Sequence, residues 1–112
     1  MIFDYFKTIP AAVTIADKDN IIIYMNAKSM DVFKEQGGAE LIGQNLFDCH
    51  NENSRMIMAE IKRSGKPNLY TIEKKGFKKF IYQAPWYDDN NQCGLIEFTC
   101  EIPFELPHFI RG

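Results

Sequence analysis

The chain lacks any apolar run near the ~18 residues that a membrane-spanning helix needs, so no span is expected. It also lacks a basic excess: 13 Lys and Arg stand against 15 Asp and Glu, a net charge of −2. No basic stripe of a nucleic-acid surface is present, and the partners expected exclude nucleic acid and membrane. Lys74, Lys75, Lys78 and Lys79 do cluster, but they flank Gly76 and read as a solvated hairpin tip rather than a phosphate or lipid contact. The N-terminal MIFDYFKTIP has neither the basic start nor the long apolar stretch of a signal peptide. Cysteine is scarce and odd in number. Cys49, Cys93 and Cys100 form no Cys-x-x-Cys and suggest no disulfide framework. Reduced thiols and the missing signal point to the cytoplasm.

What is present suits one domain. At 112 residues and 46% hydrophobic composition, the chain can bury roughly 65% of its unfolded surface around a single core. Ile2, Phe6 and Ile9 fall at helical spacing, so residues 1–9 read as a short amphipathic helix stopped by Pro10. Ala12 to Ala16 and Ile21 to Met25 are short β-branched runs joined by the turn-forming Asp17-Lys-Asp-Asn20. Asn26 stands where an N-cap is wanted, and Ala27 to Gln36 reads as a helix ended by Gly37-Gly38. Asn51 or Asn53 can cap a second helix running to Gly65. After Pro67 the period becomes two. Leu69 to Glu73, Phe77 to Tyr87 and Cys93 to Ile102 read as antiparallel strands, with turns at Lys75-Gly76 and Asp88–Asn91. The fold class is α+β, with helices inserted between strands 2 and 3 of a five-stranded antiparallel sheet. Residues 10–102 form the domain and 103–112 a short tail, in which Pro103 and Pro107 break any helical linker leading outward.

Asp48-Cys49-His50 places an acid, a thiol and an imidazole side by side. Zinc needs about four converging N or S ligands, and Cys49, His50, Cys93, Cys100 and His108 are scattered along the chain. Adjacent Cys and His seldom reach the geometry of a nucleophile pair. A c-type haem needs Cys-x-x-Cys-His, but Leu46 stands at the first cysteine position. No metal is expected, and Cys49 and His50 read as packing or pocket-wall residues.

Three pieces carry a resemblance: IADKDNIIIYMNAKSMDVF, AELIGQNLF and APWYDDNNQCGLIEFTCEI. In this order and spacing they resemble the PAS sensor domain. Asn20 where glycine is usual, Lys34-Glu-Gln-Gly37 after the first helix, and Pro103 depart from the pattern. The resemblance implies a cavity between sheet and helices that holds a small molecule. Light-sensing relatives form a flavin adduct on a cysteine at the position of Leu46, so flavin thiol chemistry is argued against. Haem-binding relatives use a histidine within the second long helix, where this chain has none.

Strand alternation leaves two candidate inner faces. One carries Ile96, Phe98, Cys100, Phe80, Tyr82, Trp86, Tyr70 and Ile72. The other carries Leu95, Glu97, Thr99, Ile81, Gln83, Leu69 and Thr71. Burial favours the aromatic set; registering the strands on the resemblance favours the mixed set. The second choice gives a pocket of Thr14, Tyr24, Leu46, Cys49, His50, Ile57, Ile61, Thr71, Gln83, Glu97 and Thr99. The expected function is a stand-alone, non-catalytic sensory domain that binds a small ligand or a signalling partner. The alternative is a small cone-shaped isomerase or dehydratase using Glu97, His50 or Asp48 as general base. If the mixed set lines the pocket, the aromatic face needs cover. A homodimer through Ile2, Phe6, Ile9, Phe80, Tyr82 and Phe98 would supply it.

Overall fold

The computed structural model describes residues 5–112, the Cys49 side chain excepted. Five antiparallel strands form one sheet: β1 (Ala12–Asp17), β2 (Ile22–Met25), β3 (Asn68–Lys74), β4 (Phe77–Asp88) and β5 (Asn91–Ile102). Their spatial order is β2-β1-β5-β4-β3, so the two halves of the sequence meet where β1 pairs β5. Between β2 and β3 lie α1 (Ala27–Val32), three short 3-10 turns and α2 (Glu52–Ser64). No helix among the described residues is long and apolar enough to cross a membrane.

Local chemistry fixes the joints. In the β1–β2 turn, Asp17 Oδ1 accepts from the backbone N–H groups of Asp19 (2.9 Å) and Ile21 (3.0 Å). Asn20 takes the left-handed conformation (φ 66°) that glycine would otherwise supply, one of the few residues that tolerates it. Asn51 rather than Asn53 caps α2, accepting from Ser54 N–H at 2.9 Å. Gly65 ends that helix at φ 72°. Lys75 and Gly76 both have positive φ, which gives the two-residue turn whose twist matches paired strands. That turn sets Lys74 opposite Phe77 and, counting back, Asn68 opposite Gln83.

Two expected helices differ. In the described part of the 1–9 segment Tyr5 has 3-10 geometry and Phe6 to Ile9 are turn and bend, so no α-helix is seen there; Ile2 lies outside the described residues. The Phe6 and Lys7 carbonyls accept instead from Asn26 Nδ2 and Ala27 N–H, which ties this segment to the start of α1. The first long helix ends at Val32 instead of Gln36. Phe33 leaves helical geometry, and its carbonyl accepts from Gly38 N–H as Gly37 and Gly38 turn the chain at positive φ.

The core has two apolar clusters on the helix side of the sheet. Ile22, Met25 and Leu41 pack with Met30 and Phe33. Met58, Ile61 and Leu95 pack with Phe47. Leu46 touches both.

Candidate functional site

A cavity of about 630 Å³ lies among these clusters. Its walls are largely apolar, with Ile22, Met25, Leu41, Leu46, Ile57, Met58, Ile61 and Leu95 contributing. Its floor is one cross-strand row. Pairing sets Met25 beside Thr14, Thr14 beside Glu97, Glu97 beside Gln83, and Gln83 beside Asn68, so one residue from each strand shares the level and the face. Four of the five are polar, and three of these are hydrogen-bonded in sequence. Asn68 Nδ2 donates to Gln83 Oε1 (3.0 Å), and Gln83 Nε2 donates to Glu97 Oε2 (2.7 Å). Thr14 and Ser29, the latter fully buried on α1, share a hydroxyl contact at 2.5 Å. A pocket with apolar walls and a few convergent polar groups is the usual form of a small-ligand site.

Among the described residues, three in the lining are ionisable: His50, Tyr70 and Glu97. His50 Nδ1 lies 2.8 Å from the Leu46 carbonyl oxygen, an acceptor, so Nδ1 carries a proton and donates. Burial raises the Tyr70 phenol above its ordinary range, and the nearby Glu97 charge adds to the effect. At 42% exposed, Tyr70 stands at the rim of the cavity rather than within it.

Of the residues expected in a pocket, Thr14, Leu46, His50, Ile57, Ile61, Gln83 and Glu97 line this cavity. Tyr24, Thr71 and Thr99 do not. A bulge in β2 carries Tyr24 away. Ile15 pairs Tyr24 while Ala16 pairs Ile22, so Ile23 is the extra residue and strict alternation fails there. Met25 faces the cavity in place of Tyr24. Thr71 pairs Phe80 and so lies on the outer face; the turn-set register brings Asn68 and Tyr70 inward instead. Thr99 pairs Ile81, one row beyond the polar one, and does not reach the lining. Asp48 is exposed and outside the lining; the Cys49 side chain lies outside the described residues. Counting back from Lys75-Gly76 would have found Asn68 and Tyr70. Nothing in the sequence singles out Phe33, Ser54 or Met58. Phe80, Tyr82 and Phe98 share the outer sheet face, half-buried, while Phe6 is exposed and Ile9 half-buried. Among the described residues no three His, Cys, Asp or Glu side chains converge as a metal site would require.

No protein-family model matches the sequence, and no curated relative does. Solved structures do match. The PAS domain of a protein from Colwellia psychrerythraea is 19% identical with a TM-score of 0.66, over 88% of this chain and 92% of that one. The Aer2 receptor from Vibrio cholerae, described as a dual PAS-haem oxygen sensor, is 19% identical with a TM-score of 0.61, over 83% of this chain and 95% of that one. The Vibrio cholerae protein VqmA, solved with ligand and DNA, is 15% identical with a TM-score of 0.67, over 89% of this chain and 50% of that one. With its strand order, inserted helices and sheet-floored cavity, the chain has the fold of the PAS sensor domains.

Proposed function

We propose that residues 10–102 act as a non-catalytic sensory domain that binds a small, mostly apolar ligand in the cavity. One observation carries this reading: the aligned polar row Thr14–Glu97–Gln83–Asn68 forms the floor of a chamber whose walls are mostly apolar. A core built for packing alone would gain more from apolar side chains there. Similar folds in which a ligand or haem is named, VqmA and the Aer2 receptor, support the same use of the fold. The catalytic alternative has less to stand on. Asp48 is outside the lining, and one Glu97 oxygen and His50 Nδ1 are engaged in internal hydrogen bonds. We further propose that a homodimer or a signalling partner covers the outer sheet face, with residues 103–112 as a tail and the cytoplasm as the place of action.

Filling the cavity tests the proposal. Ser54 lines it from α2, and its backbone N–H, not its side chain, serves the helix cap. Ser54→Trp should therefore keep the fold and occupy the chamber. In a thermal-shift screen of small amphipathic compounds, a ligand at a hundred times its Kd adds about 2.7 kcal/mol to the wild type. The variant should gain nothing from the same compound. A hit that stabilises both proteins equally would place binding elsewhere and defeat the reading.

A further inference from the structure

We infer that the cavity takes an apolar ligand carrying one cationic nitrogen, seated against Glu97; the inference rests on the ligand-binding reading above. Its first support is charge. Among the described residues, Glu97 is the only carboxylate in the lining, and no Lys or Arg lines the cavity. Two cations of α2 are held elsewhere. Lys62 Nζ donates to the Lys18 carbonyl (3.1 Å) and Asn20 Oδ1 (2.8 Å), and Arg55 Nε donates to the Phe47 (2.8 Å) and His50 (3.1 Å) carbonyls. An anionic ligand would meet an uncompensated like charge in a chamber of low polarity, where repulsion is weakly screened.

The second support is the direction of the hydrogen bonds. From Asn68 through Gln83 every donor points toward Glu97, and the relay ends on Oε2. Glu97 Oε1 has no hydrogen-bond partner among the described residues. A half-buried carboxylate with one oxygen held by the relay can offer the other to a donor on a ligand. His50 repeats the pattern: with Nδ1 donating to Leu46, its remaining ring nitrogen is the one left for a ligand. Tyr70 adds an aromatic face at the rim, the kind of surface on which cations settle. Apolar walls from Leu46, Met58, Ile61 and Leu95 then select for a hydrocarbon or aromatic body on the cation.

An isosteric series on the full chain separates charge from shape. Tryptamine, tryptophol and indole-3-acetate present an ammonium, a hydroxyl and a carboxylate on the same ring system. By calorimetric titration, tryptamine should bind about ten- to a hundredfold more tightly than tryptophol, the gain expected of a charge-assisted hydrogen bond, and indole-3-acetate most weakly. Glu97→Gln keeps the side chain's shape and an acceptor for Gln83 Nε2. It should erase the preference for the amine, read as the ratio of tryptamine to tryptophol affinity. Tryptophol binding as tightly as tryptamine, or an amine preference that survives Glu97→Gln, overturns the inference and leaves the cavity reading standing. Binding of none of the three, together with no uptake of the neutral dye Nile red by the folded protein, overturns the cavity reading and this inference with it.

Discussion

Asn26 shows how much of this fold hangs on one side chain. It is 2% exposed, and its amide is saturated. Oδ1 accepts from Val13 N–H and Ser29 N–H, both at 3.0 Å, and Nδ2 donates to the Phe6 and Ala11 carbonyls, both at 2.8 Å. One residue thereby caps α1, satisfies the backbone of β1 and anchors the segment before it. Asn26→Asp keeps the shape and turns the two donor positions into an acceptor facing two carbonyl oxygens. Buried polar groups left without partners cost about 1–3 kcal/mol each, so a loss of at least about 3 kcal/mol is expected in urea denaturation. A loss below about 1 kcal/mol would show that the amide network is dispensable. The sequence marks Asn26 as a cap because an Asn before a helical run is a local signal. Its other three bonds reach residues 13, 15 and 20 positions away along the chain, and no local pattern announces them.

At the level of elements, strands and turns were legible where the signal was short-range. Asp17 to Asn20, Asn51, Gly65 and Lys75-Gly76 each act within a few residues, and the strand limits follow from them. Which way a strand's side chains point was less legible, because that depends on the pairing partner. The Ile23 bulge answers to β1, and it leaves Ile23 itself 48% exposed beside the buried Ile22. Gly94 is another position set by a neighbouring strand. Its φ is 152°, and a Cβ there would fall 1.9 Å from the Ala16 carbonyl oxygen. That oxygen also accepts from the Trp86 indole N–H at 2.9 Å, reached from β4 across β5. Gly94→Ala must push β1 from β5 or break this contact. It should cost about 3 kcal/mol or more, in the range of strain and lost buried bonds, with a Trp fluorescence change to match. An alanine variant as stable as the wild type, with unchanged emission, would mean the β1–β5 junction yields without strain.

For the whole molecule the decisive feature is that β4 and β5 serve two faces at once. Glu97 and Gln83 look into the cavity, while their chain neighbours Phe98 and Tyr82 look outward. Register places Val13, Phe98, Tyr82 and Leu69 in one apolar row on the outer face, flanked by Ile96 and Ala84 on one side and by Phe80 and Cys100 on the other. Val13 is buried, but Leu69 at the sheet edge is 51% exposed, so cover runs out along the row. Monomers rarely leave an apolar patch beyond ~300–600 Å² in water. Two copies related by a two-fold axis would cover it with the same surface twice. In such a dimer a ligand pulling on Glu97 moves the strand that also carries Phe98, which gives the cavity a mechanical route to the interface. Sedimentation should find the full chain dimeric at micromolar concentration. Tyr82→Lys, which sets two ammonium groups near the axis, should shift it to monomer while leaving the circular dichroism and the cavity's ligand affinity intact. A wild-type monomer at that concentration would remove the dimer and leave the outer face to a different protein partner.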